Sequence, residues 1–136
     1  MIRTIIHDPF FLAEKSTPAT QEDRQMIADL QDTFRAYLDR CVGMAANMIG
    51  EKKRIIVFCN GPLQMVMMNP EIIAQSGEYE AEEGCLSLAG TRKTKRFHRI
   101  TVKYQDQAFR WNTQSFEGFA AQIIQHEIDH CNGKLI

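Results

Sequence analysis

The residues best suited to chemistry form a short run near the end of the chain, Gln125-His126-Glu127-Ile128-Asp129-His130. It contains H-E-x-x-H. On a helix, two imidazoles four positions apart share a face, and the carboxylate beside them can act as base for a metal-activated water. A second run lies upstream, Glu83-Gly84-Cys85-Leu86-Ser87, with a cysteine next to a glycine on an expected loop or strand. Cys85, His126 and His130 together would give three protein ligands and leave a position open for water. Zinc would bind the imidazole nitrogens at about 2.0–2.1 Å and the thiolate at about 2.3 Å. A mixed nitrogen and sulfur set also suits ferrous iron, cobalt or nickel, so donor type leaves the metal open. Glu127 is the expected proton carrier, close enough to take a proton and return it to a leaving amine. Asp129 reads equally as a supporting acceptor, a partner for an arginine such as Arg96, or a plain exposed carboxylate.

The histidines need a helix to position them. One is expected from Ser115 as N-cap to Cys131, stopped by Asn132-Gly133. On it Phe119, Ile123, His126 and His130 fall within about 60° of one another at about 100° per residue. The histidines therefore extend an apolar stripe that carries them into the core. A second, long amphipathic helix is expected from Thr20 to about Arg40, with Met26, Ile27, Leu30, Phe34, Tyr37 and Leu38 on one stripe. Before it, Pro9 and Pro18 argue for an extended arm. Strands are expected over residues 54–59 and 63–68, joined by the turn signal Asn60-Gly61-Pro62. Further extended segments are expected at 71–76, 100–104 and 109–111, and residues 78–88 carry the cysteine motif on a loop or strand. The pattern is α+β: antiparallel strands with the C-terminal helix carrying H-E-x-x-H and one long N-terminal helix.

The chain has 136 residues, 44% apolar and 24% charged, which fits one domain over 1–136. A net charge of −1 excludes a molecule-wide electrostatic grip on nucleic acid, and no DNA partner is expected. No apolar run approaches the roughly 20 residues of a membrane span, and the N-terminal apolar stretch is too short for a signal peptide. A cytoplasmic location is expected. The four cysteines, Cys41, Cys59, Cys85 and Cys131, read as thiols. The basic run Arg92-Lys93-Thr94-Lys95-Arg96-Phe97-His98-Arg99 reads as a solvated edge strand or, alternatively, as a transient ribosome contact.

These motifs resemble the second and third signatures of the peptide deformylases, metallohydrolases that remove the formyl group from the N-terminal methionine of new polypeptides. The family's first signature, Gly-x-Gly-Leu-Ala-Ala-x-Gln, is echoed by Gly43-Met44-Ala45-Ala46-Asn47-Met48, with its leading glycine set against Val42. The resemblance spans most of the chain, and the motifs stand in the family's order. It implies Cys85, His126 and His130 as ligands of one divalent ion, iron or zinc, with nickel or cobalt able to substitute. It implies Glu127 as base and acid, and the Leu86 backbone N–H as oxyanion donor. It also implies Val42, Gly43, Met48 and Gly84 around the substrate, a formyl-methionyl peptide whose side chain enters an apolar pocket.

Met48 departs from the pattern, because it stands where the family has a glutamine whose amide supports the oxyanion. A thioether donates no hydrogen bond. Loss of one such donor typically costs about 100- to 1,000-fold in rate. The expectation is a deformylase of reduced or altered activity. Two other readings stand beside it: a weak or inactive relative that binds metal and peptide N-termini, and a different metallohydrolase such as a peptidase or amidase.

Overall fold

The computed structural model describes residues 1–136. Helix α1 covers Pro9–Leu12 and α2 covers Arg24–Ala36. Strands follow as β1 (Gly43–Ala45), β2 (Ile55–Asn60), β3 (Leu63–Cys85), β4 (Leu88–Gln105) and β5 (Trp111–Glu117), and α3 (Gly118–Cys131) is last. The strands form one antiparallel sheet in chain order, β1-β2-β3-β4-β5. The α+β fold read from the sequence is therefore the observed one.

Alternation along β2 explains the layering. Ile55 and Val57 pack with Ile27, Leu30 and Phe34 of α2, while Ile56 and Phe58 pack with Ile124 and Ile128 of α3. Side chains alternate across a strand, so a continuous apolar run here serves a sheet covered on both faces. The turn at Asn60-Gly61-Pro62 behaves as expected: Asn60 pairs with Leu63, and Gly61 takes φ +59°, which a glycine adopts without strain. Met67 and Met68 are fully buried core residues on β3.

Four details differ from the sequence reading. The long N-terminal helix is not present. Residues Gln21–Asp23 form a 3₁₀ turn, and α2 has 13 residues. Thr20 and Asp23 cap one another at that turn, Thr20 N–H donating to Asp23 at 2.8 Å, so regular helix begins only afterwards. At the other end Tyr37 N–H bonds Phe34 O at 3.0 Å, a tightened last turn that leaves Leu38 outside the helix. Helix α3 starts at Gly118 rather than Ser115. Ser115 lies on β5 opposite Thr101, their hydroxyls 2.9 Å apart, and Gly118 turns the corner with φ +65°. Pro9 opens α1 instead of barring a helix, since a first-turn N–H needs no partner, and Asp8 caps Phe10 N–H at 3.0 Å. Finally, the segments expected separately at 63–68 and 71–76 belong to one long strand, β3, which also takes in the cysteine motif as far as Cys85 and is interrupted by bulges near Met68/Glu71 and Ile72/Ala74.

The long β3–β4 hairpin reaches beyond the rest of the sheet and brings its tip, Leu86-Ser87, over α3. Residues 92–98 lie beyond the end of β5, so one side of that segment is free of strand, as the edge reading required. Helix α3 covers part of it. The Gln125 amide pairs with Phe97 like a strand residue, accepting its N–H and donating to its carbonyl, each at 2.9 Å. Lys95 faces Glu78 at 3.1 Å and Lys93 faces Glu80 at 3.9 Å across the ladder. The basic run is thus matched by an acidic one. No helix is long and apolar enough to cross a membrane.

Candidate metal centre and its cavity

Three elements converge on one point. Helix α3 carries His126, Glu127 and His130, the hairpin tip carries Cys85, and β1 with its following 3₁₀ turn carries Gly43 to Met48. Cys85 Sγ and one nitrogen from each histidine lie within 4.8 Å of one another. Ligands of one tetrahedral ion at about 2.0–2.3 Å stand roughly 3.3–3.6 Å apart. Here the two imidazole Nε2 atoms are 3.2 Å apart, and Cys85 Sγ is 3.3 Å from His130 Nε2. The donor set therefore fits a divalent cation with small adjustment. All four cysteines are free thiols, as expected.

The surrounding residues hold these donors in place. His126 Nδ1 donates to Glu83 Oε1 at 2.8 Å, which aims Nε2 at Cys85 and His130. Glu83 in turn accepts from Arg96 at 2.7 Å and 3.0 Å, and from Gln122 at 2.9 Å. Arg96 is 3% exposed and also donates to Asp129 at 2.8 Å, one of the three readings open for that aspartate. Burial disfavours the charge on Glu83, but the bonds from His126, Arg96 and Gln122 outweigh it and bring the carboxyl down to about 2. Ser87 N–H donates to Cys85 Sγ at 3.4 Å, and Asn47 donates to the His130 carbonyl at 3.0 Å.

Charge among these side chains is unevenly shared. Burial opposes protonation of His126, yet the adjacent Cys85 sulfur and Glu83 carboxylate push it up to about 10. Burial and the neighbouring His126 bring His130 down to about 3, which leaves its ring nitrogen free to bind. Binding of a cation would displace the His126 proton. Glu127 is buried, and one of its oxygens has no hydrogen-bond partner. Burial, the largest influence, pushes its carboxyl up to about 7. A buried carboxylate left unpaired calls for a functional account.

These groups line a cavity of about 740 Å³. Every residue assigned to the site from the sequence borders it except His130, which is fully buried behind: Val42, Gly43, Met48, Gly84, Cys85, Leu86, His126 and Glu127. Leu38 and Ile123 add apolar surface. Phe119, expected on the buried stripe, is instead 62% exposed and stands at the cavity mouth. One assignment needs correction. Counted back from Gly43, the leading glycine of the first signature falls on Cys41, and Val42 takes the variable place. Cys41 also lines the cavity, and burial pushes its thiol up to about 12.

Gly43 is there for space rather than for conformation. A Cβ at this position would lie 2.7 Å from Ile123 and 2.8 Å from a Glu127 carboxylate oxygen. Gly43→Ala therefore displaces Glu127. We expect kcat to fall by about 10- to 100-fold while the protein stays folded. Steady-state kinetics beside a melting curve checks this, and an unchanged rate would show that Glu127 tolerates the displacement.

The roles of Glu83, Gln122 and Gln125 were not visible in the sequence. Their partners lie 43, 39 and 28 positions away. Glu83 carried one faint signal, its place two residues before Cys85, on the same side of an extended segment.

An H-E-x-x-H helix with its two histidines and a cysteine converging beside a cavity is an arrangement suited to metallohydrolases. The family model for polypeptide deformylase matches residues 2–136. Peptide deformylase of Clostridium beijerinckii is 54% identical over 136 residues, covering 100% of both chains. Peptide deformylase of Dictyoglomus thermophilum is 38% identical, over 100% of this chain and 91% of that one. Among solved structures, peptide deformylase from Thermotoga maritima superposes with a TM-score of 0.89 at 33% identity, covering 99% of this chain and 95% of that one. The enzyme from Legionella pneumophila gives 0.88 at 38%, covering 99% and 83%. The chain belongs to the peptide deformylase family.

Proposed function

We propose that this chain, one domain over residues 1–136, is a metal-dependent hydrolase that removes the N-formyl group from the N-terminal methionine of new polypeptides in the cytoplasm. The observation that carries this reading is the convergence of Cys85, His126 and His130 at a cavity that Glu127 also lines. These three residues would hold one divalent ion, iron or zinc, with nickel or cobalt able to substitute. When bound, such an ion supplies Lewis acidity and lowers the pKa of a water from 15.7 towards roughly 7.

The rest of the chemistry belongs to the chain. Val42, Gly43 and Gly84 border the substrate backbone, and Leu38, Leu86, Phe119 and Ile123 offer apolar surface to the methionine side chain. Glu127 takes a proton from the attacking water as oxygen bonds to the formyl carbon. The Leu86 N–H donates to the oxyanion. Glu127 then returns the proton to the α-nitrogen as the C–N bond breaks, releasing formate and a free amine. Met48 contributes no donor, and its thioether accepts Ala45 N–H at 3.4 Å.

A non-catalytic role is not the favoured reading, since the relative matched over its whole length at 54% identity is named a peptide deformylase. Transient ribosome contact through Arg92–Arg99 has as its support only the basic side chains, and Lys93 and Lys95 already face glutamates.

Formate release from a formyl-Met peptide tests the reading. Protein purified without oxygen and supplied with iron, cobalt or nickel should turn over. Chelation should abolish turnover, and readdition of metal should restore it. No release above background with any of these metals bound would refute it.

A further inference from the structure

The N-terminal arm, residues 1–8, reaches both loops that shape the cavity. Ile6 N–H donates to the Met48 carbonyl at 2.8 Å. One residue on, His7 Nδ1 lies 2.9 Å from the Ser87 carbonyl oxygen. A carbonyl only accepts, so Nδ1 carries the proton and donates. The arm is fixed at its other end as well. Arg3 N–H donates to Thr33 Oγ1 at 2.8 Å, and the Arg3 guanidinium joins Asp29 at 2.8 Å to Glu51 at 3.1 Å.

Ser87 is where this contact bears on the site. Its N–H donates to Cys85 Sγ at 3.4 Å, and its carbonyl accepts from His7. Leu86 and Ser87 are the two residues between the paired Cys85 and Leu88, so fixing both ends of Ser87 fixes the turn that presents Leu86 N–H. That turn matters more here than in a site with two side-chain and backbone donors, because Met48 offers none. The inference rests on the deformylase reading for the role of Leu86, but not for the contact with Cys85.

We propose that His7 is a positioning residue: its bond to the Ser87 carbonyl, with Ile6 on the Met48 carbonyl, lets the N-terminal arm brace the Cys85–Ser87 turn against the Met48 turn across the cavity. A contact that served only to stabilise the fold would change melting and leave the site's behaviour alone.

Two variants separate the roles. His7→Phe keeps a ring and removes the donor. His7→Asn places an amide N–H near the position of Nδ1. With the metal-loaded full chain, His7→Phe should lower kcat for formyl-Met peptide about tenfold and speed metal release to a chelator by a similar factor, the size expected for an outer partner of a metal ligand. KM should stay within about twofold, since no group touching the peptide is removed. His7→Asn should recover most of both losses. Wild-type kcat and metal-release rate in His7→Phe would overturn the proposal. So would a His7→Asn protein that melts like wild type yet recovers neither. If the wild type itself releases no formate with metal bound, the deformylase reading fails instead, and the metal-release comparison still decides the role of His7.

Discussion

Glu127→Gln should lower kcat by about 100- to 10,000-fold, the range for removal of a positioned general base and acid. The loss should fall on kcat and leave the metal bound, because Glu127 is not among the converging donor atoms. The other carboxylates at the cavity are poor substitutes. Glu83 is occupied by His126, Arg96 and Gln122, Glu82 by Thr91, and Asp39 is exposed to solvent and not among the converging residues. The amide is close in size to the carboxylate and carries no charge in a site where burial already disfavours one. Stability should therefore hold or rise as activity collapses. Stopped assays of formate release, with metal content measured on the same samples, check both halves. A variant within about tenfold of wild type would assign the proton transfer elsewhere.

Met48→Gln should raise kcat, by at least about tenfold and up to the 100- to 1,000-fold that one oxyanion donor is worth. The geometry says why a glutamine fits. Met48 is 1% exposed, borders the cavity, and its thioether accepts Ala45 N–H at 3.4 Å. A glutamine carbonyl can accept the same N–H while its amide nitrogen faces the cavity and donates. Methionine thus keeps the structural half of the position and lacks the chemical half. Met48→Leu is the control. It removes the acceptor from a buried N–H, so it should destabilise by about 1–3 kcal/mol and bring no gain in rate. A glutamine variant no faster than wild type, with metal bound, would mean that the oxyanion is already supported by the Leu86 turn, and would shift weight to the brace provided by His7.

Much of the site was legible because its spacing is local. Two histidines four apart on a 3.6-residue period must share a face, and the buried stripe around Ile123 fixed which way that face points. The β2–β3 hairpin was legible for the same reason, with Asn60-Gly61-Pro62 setting its register. What escaped depends on contacts between distant segments. Glu83 and Arg96 meet only because β3 and β4 pair with bulges whose places no alternation pattern announces. Ser115 looked like a helix cap, but strand pairing with Thr101 claimed it, and Gly118 supplied the corner. The apolar stripe of the N-terminal helix ran to Leu38, yet the helix ended where Tyr37 closed a tighter turn. Phe119 obeyed the periodicity and still faced solvent, since periodicity gives a direction and not the extent of what packs there. The resemblance to the deformylases located the Met48 position. The lost donor could be argued from the residue type alone; the contact by which the thioether holds Ala45 N–H could not.

X-ray absorption at the metal edge of anaerobically purified protein tests the central claim most directly. One ion per chain should show a single sulfur neighbour and two imidazole nitrogens, at about 2.3 Å and 2.0–2.1 Å if the metal is zinc, with a light oxygen neighbour completing the set. Loss of the sulfur signal in Cys85→Ser should follow. An ion bound without sulfur, or a folded protein that takes up no ion, would contradict the account.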